Sequence, residues 1–98
     1  MAHAVPVRHA APAIRRATRD DAAALADLIV RAFAPYVGRL DPPPSAIKET
    51  PATIAARFAD HVALIAESDG AIAGCVFLQR QGDAVYLSRV AVDDAWRG

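Results

Sequence analysis

The chain has 98 residues, which is enough for one small domain and too few for two. Eleven basic and eleven acidic side chains cancel to a formal net charge of zero. Nucleic acids and anionic membranes bind basic surfaces, so we expect neither as a partner. No apolar stretch approaches the roughly 20 residues that span a bilayer. Cys75 is the only cysteine and cannot form an internal disulfide, so we expect a cytoplasmic protein.

The first twelve residues carry no continuous apolar run of the kind that a signal peptide requires. We expect a flexible tail over 1–12 and a folded domain over 13–98. Two histidines, His3 and His9, lie in this tail, and His61 is distant in sequence. Because no motif has a defined ligand spacing, we expect no metal site.

A short strand is predicted over 13–17, followed by a helix that Thr18 or Asp20 caps. In this helix, apolar side chains recur at the i, i+3, i+4, i+7, i+8 spacing that places them on one face. These positions are Leu25, Leu28, Ile29, Ala32 and Phe33. Pro35 ends the helix, because proline lacks the N–H that a helix needs.

The segment 36–49 contains three consecutive prolines and has no apolar period, so we expect an ordered loop or a short irregular turn. Thr50 followed by Pro51 predicts the start of a second helix, since proline at the first helical position loses no hydrogen bond. This helix is expected to run to about residue 60.

Three β-prone runs follow, over 62–67, 71–80 and 84–92. Asp69-Gly70 and Gly82-Asp83 separate them, and such pairs supply the positive φ angles of tight hairpin turns. The three strands are therefore expected to be antiparallel neighbours. Together with the first strand, they predict an α/β (α+β) fold in which two helices pack on a mainly antiparallel sheet of four strands.

Three segments carry a resemblance to a known family. They are IRRATRDD at 14–21, the hairpin DGAIAG at 69–74, and LSRVAVDDAWRG at 87–98. In this order and spacing they resemble the N-terminal part of the GNAT superfamily, the acetyl-CoA-dependent N-acetyltransferases. The resemblance implies transfer of an acetyl group from acetyl-CoA, as co-substrate, to the amine of a small-molecule or amino-acid-like acceptor by direct attack, without a metal.

The resemblance also assigns cofactor-binding positions. Val90, Ala91 and Val92 match the fourth strand, where a main-chain N–H near a bulge polarises the thioester carbonyl. Arg97 and Gly98 match the start of the loop that holds the cofactor pyrophosphate. The alternative is that Val90 and Val92 are simply core side chains of a strand, and for Arg97 and Gly98 that they form a disordered C-terminus.

Acceptor recognition in the family belongs largely to the loop between the first two helices. Tyr36, Arg39 and Glu49 are the expected substrate-binding residues there, next to Asp41. The alternative is that the loop charges are only solvated.

Catalytic residues stay unknown from the sequence. The family often places a glutamate on the fourth strand, and this chain has Tyr86, Ser88 and Arg89 there instead. We expect Cys75, beside Val76, to be inert packing rather than a nucleophile.

The resemblance stops at Gly98, where the acyl-CoA loop begins. We therefore expect 13–98 to be an incomplete N-acetyltransferase domain that lacks the family's C-terminal helices and strands, and expect the 98-residue chain alone to bind acetyl-CoA poorly and to be inactive. An uncovered edge strand would favour homodimers or edge-strand self-association. The competing function is a non-catalytic α/β module for ligand binding or dimerisation.

Overall fold

The computed structural model describes residues 12–39 and 44–96. Within them the chain forms a mixed α+β fold with four strands and two α-helices, and the predicted fold class is confirmed. The elements are β1 (Ala13–Arg16), α1 (Ala22–Phe33), α2 (Pro51–Arg57), β2 (Val62–Ser68), β3 (Ala71–Gln81) and β4 (Ala84–Val92). The expected tail lies outside the described residues, apart from Pro12.

The four strands form one antiparallel sheet in the order β1-β2-β3-β4. Both predicted hairpin turns are present. Asp69 and Gly70 both have positive φ, at 52° and 78°, which is the pattern of a type I′ turn. Gly82 has φ 61° and begins the second turn. Since both turns join sequential strands directly, β4 lies at one edge of the sheet.

The start of α1 differs slightly from the prediction. Thr18 caps a single 3-10 turn, Arg19–Asp21, which leads directly into the helix. The Thr18 side chain accepts from the Asp20 N–H at 3.3 Å, and the Asp21 carboxylate accepts from the Thr18 N–H at 2.8 Å. This reciprocal arrangement satisfies N–H groups that the helix leaves unpaired.

The second helix begins as predicted and ends early. The Thr50 hydroxyl accepts from the Thr53 N–H at 3.2 Å, with Pro51 at the first helical position. The expectation that this helix continues to about residue 60 is wrong, because α2 ends at Arg57. The His61 N–H donates to the Arg57 carbonyl at 2.8 Å, which turns the chain towards β2.

Both helices cover the same face of the sheet. The predicted apolar stripe of α1 packs there, with Leu25, Leu28, Ile29 and Ala32 buried and Phe33 half-buried. From the sheet the core takes Ala63, Ile65, Cys75, Phe77 and Ala91, and from α2 it takes Ile54. No helix of the described residues covers the opposite face, which we call the open face.

Candidate functional site

A β-bulge interrupts the pairing between β3 and β4. Cys75 pairs with Ala91 and Phe77 pairs with Ser88, so Val76 alone lies opposite two residues of β4, Arg89 and Val90. Arg89 has φ 49°, in the left-handed region that few non-glycine residues adopt. A bulge bends its strand and changes the direction of the main-chain groups beside it. The bulge therefore separates β4 into two segments, of which the second runs from Val90 to Val92.

This second segment forms one wall of a groove, which we call the α1–β4 groove. Its volume is about 480 Å³, and it is lined by Ala32, Phe33, Tyr36, Val90, Ala91, Val92 and Trp96. The facing wall is the last turn of α1 and the turn after it. Arg31 of α1 and Asp93 form an ion pair at 3.2 Å, which holds the two walls together at their base.

The predicted cofactor residues of β4 lie in this groove. Ala91 is 3% exposed, while Val90 and Val92 are 54% and 40% exposed. The alternative in which Val90 and Val92 are core side chains is therefore wrong, because Ala91 takes the core position of this segment. Arg97 and Gly98 lie outside the described residues, and their assignment stays a prediction.

A glycine in β3 allows the second segment of β4 to approach closely. A side chain on Gly74 would place its Cβ 3.0 Å from the Ala91 carbonyl oxygen. Real Cβ atoms rarely come so near a backbone atom, and the strand backbone cannot easily give way. Gly74 therefore allows β3 to lie close to the Ala91 carbonyl of β4.

Two aromatic lining residues have no place in the sequence-based site. Phe33 is predicted there only as part of the apolar helix face, and Trp96 only as part of the segment before the acyl-CoA loop. Trp96 lies in a 3-10 turn, Asp94–Trp96, and the Trp96 N–H donates to the Asp93 carbonyl at 2.9 Å. Their positions could have indicated them. Phe33 ends α1 and Trp96 ends the 3-10 turn after β4, and both of these elements border the bulged strand.

Of the predicted substrate-binding residues, Tyr36 lies in the groove and Arg39 close to it in sequence. The Tyr36 ring is tilted against Phe33, with 6.3 Å between centroids, and the residue is 44% exposed. The Arg39 N–H donates to the Tyr36 carbonyl at 3.1 Å, so Arg39 follows directly on this rim and is exposed. Asp41 lies outside the described residues.

Glu49 does not line the groove and is the centre of a separate buried cluster. Its side chain is 6% exposed, and its carboxylate accepts from Thr53 Oγ1 at 2.6 Å. Arg57 and Arg89 pair with the same oxygen, Oε2, at 2.7 and 2.9 Å. Arg89 Nη2 also donates to the Ser45 hydroxyl at 3.1 Å. We call these five residues the Glu49 cluster. The expected role of Glu49 in substrate binding stays a prediction.

The ionisation of Glu49 follows from two opposing effects. Burial by itself raises the pKa of the Glu49 carboxyl, whereas hydrogen bonds from Thr53, Arg89 and Arg57 lower it, and together they leave the pKa below its usual value. Glu49 is therefore an anion at neutral pH, with its charge engaged by two guanidinium groups. A carboxylate so engaged is poorly suited to accept a proton from a substrate.

Cys75 lies beneath the bulge, on the covered face of the sheet. Burial raises the pKa of its thiol to about 11, and a backbone hydrogen bond at Ala91 offsets part of that rise. The thiol donates to the Arg89 carbonyl at 3.5 Å. Cys75 is buried as predicted, and that it is not a nucleophile stays a prediction.

Within 12–39 and 44–96 the structure groups no three His, Cys, Asp or Glu side chains in an arrangement that could hold a metal ion. The predicted lack of a metal stays a prediction. In the same part of the chain no helix combines the length and apolar character needed to cross a bilayer.

Comparison with known proteins gives no family model that matches this chain. No curated protein matches its sequence significantly. The resemblance to the GNAT superfamily therefore rests on the sequence motifs of this chain alone.

Proposed function

We propose that this chain is part of a GNAT-like N-acetyltransferase, in which the α1–β4 groove receives the acyl end of acetyl-CoA. The observation that carries the proposal is the bulge at Arg89–Val90. It lies on the strand for which the sequence motifs imply a carbonyl-polarising main-chain N–H, and it borders the groove. The cytoplasm remains the proposed location, with no nucleic-acid, membrane or metal partner.

The shape and lining of the groove suit the pantetheine arm of such a cofactor. Its volume of about 480 Å³ falls within the range of roughly 300–1,000 Å³ that is typical of small-molecule sites. Phe33, Tyr36 and Trp96 supply aromatic walls for an uncharged chain. β4 is the edge strand of the described sheet, so its outer edge offers main-chain donors and acceptors to an extended ligand.

The proposed reaction is direct transfer. The acceptor nitrogen attacks the thioester carbonyl carbon, a C–N bond forms, and the C–S bond breaks. The departing sulfur takes up a proton to become the thiol of CoA, and the nitrogen loses one proton to become the amide. Main-chain N–H groups beside the bulge would stabilise the oxyanion that forms between these steps. Neither the base nor the acid is assigned.

Tyr36 and Arg39 are the proposed acceptor-binding residues, because Tyr36 lines the groove together with Val90 and the Arg39 N–H donates to the Tyr36 carbonyl. A guanidinium group binds a carboxylate through two parallel hydrogen bonds, so Arg39 favours an acceptor that carries an acid, such as an amino acid. Arg97 and Gly98 are the proposed start of the pyrophosphate site, by resemblance alone.

Titration with acetyl-CoA tests the proposal. Trp96 is the only tryptophan and lines the groove, so its fluorescence reports binding without a label. We expect quenching and calorimetric binding, and we expect this binding to be weak because Arg97 and Gly98 supply only the start of the proposed pyrophosphate site. Release of CoA thiol in the presence of an amino-acid panel would report turnover.

A pair of variants on one strand locates the site. Val90→Asp places a negative charge beside the groove and should weaken acetyl-CoA binding at least tenfold, whereas Val85→Asp should leave it unchanged. The two valines are matched, since both lie on β4 and are 54% and 60% exposed, but only Val90 lines the groove. Absence of binding, or equal losses in both variants, would contradict the proposal.

A second candidate function is a non-catalytic module that dimerises or binds a ligand. The open face favours it, because large apolar side chains are exposed there: Ile14 is 65%, Val85 60% and Leu87 65% exposed. Exposed apolar clusters often mark interaction surfaces, and β4 adds an edge that can pair with a second copy. Sedimentation velocity over a concentration series separates the candidates: a stable dimer without acetyl-CoA binding favours the module.

A further inference from the structure

The backbone of Arg89 adopts a conformation that its residue type disfavours. Its φ of 49° brings the Cβ atom close to the backbone, and a residue other than glycine adopts this angle only where its surroundings impose it. The hairpin turns meet a similar demand with Asp69, Gly70 and Gly82, residue types that tolerate positive φ in turns. Arg89 lies inside a strand, so no turn explains its conformation.

The Glu49 cluster provides the missing restraint. Arg89 Nε donates to Glu49 Oε2 at 2.9 Å, and Arg89 Nη2 donates to the Ser45 hydroxyl at 3.1 Å. The Arg89 side chain is 19% exposed, so the guanidinium group is largely enclosed rather than free in solvent. Ser88 pairs with the buried Phe77 and so lies on the covered face. In a regular strand the side chain of residue 89 would therefore point to the open face, and the pairing with Glu49 would be lost.

Glu49 is itself held firmly enough to act as an anchor. Thr53 and Arg57 of α2 bind its two carboxylate oxygens at 2.6 and 2.7 Å. The Thr53 hydroxyl also accepts from the Thr50 N–H at 2.8 Å, which ties the anchor to the cap of α2. A rigid helix thus fixes the carboxylate, and the carboxylate fixes Arg89 some forty residues later in the chain.

We infer that Glu49 is a positioning residue for the bulged strand: by holding Arg89 it keeps the bulge in place and so directs the main chain of Val90 and Ala91 to the α1–β4 groove. The consequence for acetyl-CoA binding rests on the function proposed above, whereas the effect of Glu49 on the bulge does not. The inference replaces a substrate-facing role for Glu49 with a role exerted through Arg89.

Nuclear magnetic resonance of the 98-residue chain tests the bulge directly. A positive φ shortens the distance between a residue's own N–H and Hα, so Arg89 should show an intense cross-peak between these protons. In Glu49→Gln we expect this peak to weaken, and amide exchange at Val90 and Ala91 to rise about tenfold through local opening. Asp21→Asn is the matched control: it removes another carboxylate paired with an arginine, and should leave these signals unchanged.

Rescue by glycine distinguishes positioning from general loss of stability. Glycine adopts positive φ without a steric penalty, so Arg89→Gly should keep the bulge without Glu49. The double variant Glu49→Gln/Arg89→Gly should therefore show the slow exchange of Arg89→Gly at Val90 and Ala91. An unchanged Arg89 cross-peak in Glu49→Gln, or fast exchange in the double variant, would overturn the inference.

Acetyl-CoA titration then tests whether the position of the bulge affects ligand binding. We expect affinity to fall about tenfold in Glu49→Gln, which is the scale of one lost hydrogen bond, and to return in the double variant. A bulge that responds as expected in a protein that never binds acetyl-CoA would defeat the proposed function and leave the positioning of the strand intact. Equal affinity in the native chain and in Glu49→Gln would overturn the link between Glu49 and the ligand.

Discussion

The two faces of the sheet differ sharply although the same four strands build both. On the covered face, Ile65 and Phe77 are fully buried beneath the helices. On the open face, Ile14 and Leu87 are each 65% exposed. Strand side chains alternate between the two faces, so both faces share the same backbone hydrogen bonds. The faces differ in how deeply their side chains are buried. The comparison teaches that the stability of this fold is concentrated on one side of its sheet.

The largest expected effect is that of Phe77→Ala on the covered face. Phe77 packs against Phe58 and His61 at centroid distances of 6.0 and 6.2 Å, and its removal leaves a cavity. We expect the free energy of unfolding to fall by about 3–5 kcal/mol in urea denaturation. If that variant does not fold, Ile65→Val tests the same face. It should lower the free energy of unfolding by about 1 kcal/mol.

The next effect is that of Glu49→Ala, at the junction of the covered face with α2. The change leaves Arg57 and Arg89, which are 25% and 19% exposed, without their shared counter-charge. We expect a loss of about 2 kcal/mol, below that of a fully buried pair because both guanidinium groups can turn to solvent. Asp27→Ala is the control, since its pair with Arg31 is exposed and should contribute about 0.3–0.5 kcal/mol. Equal losses would show that the Glu49 cluster is a surface feature.

Acidification should lower the free energy of unfolding through a group at the covered face, by less than Glu49→Ala does. The hydrogen bond from Arg15 is the main cause that lowers the pKa of Asp21 to about 2, while burial opposes it. Because this pKa is lower in the folded than in the unfolded chain, the stabilisation is complete above about pH 4 and is lost as the pH falls towards 2. Thermal unfolding at pH 5, 4, 3 and 2 measures this loss, and Arg15→Gln should make the curve flatter. A slope unaffected by Arg15→Gln would contradict the assignment to this pair.

The smallest effect is expected for Leu87→Ala on the open face. Leu87 is 65% exposed, so the change removes little buried surface, and we expect less than about 0.5 kcal/mol in the monomer. The measurement is urea denaturation at several protein concentrations. A loss that grows with concentration would show that a second copy covers the open face.

Local chemistry allowed much of the fold to be predicted. The stripe from Leu25 to Phe33 repeats with the period of a helix, Thr50-Pro51 starts the second helix, and Asp69-Gly70 allows the positive φ angles of a hairpin. Each signal acts over a few residues, so no distant partner is needed to interpret it. The end of α2 was less predictable, because the turn at 58–60 depends on where β2 begins.

The candidate site was predicted in part. The resemblance singles out the strand at 90–92 and Tyr36, and the structure brings these residues together in one groove, while their roles stay predictions. It could not show that Trp96 and Phe33 complete the lining, because this requires the end of α1 to lie against the end of β4. Nor could it separate Tyr36 from Glu49, since both belong to the same loop in sequence and only their burial distinguishes them.

The amino-acid sequence by itself determined the order of the elements, the antiparallel pairing of the last three strands and the apolar face of α1, because caps, turns and periodicity are local properties of the chain. Only the tertiary structure decided that Arg89 lies in a bulge with φ 49° and that Glu49 holds it at 2.9 Å. These two residues are forty positions apart, and no short-range preference favours a left-handed arginine inside a strand. Their pairing arises because the segment just before α2 lies beside the bulge of β4, which brings a buried carboxylate to a guanidinium group that needs a counter-charge.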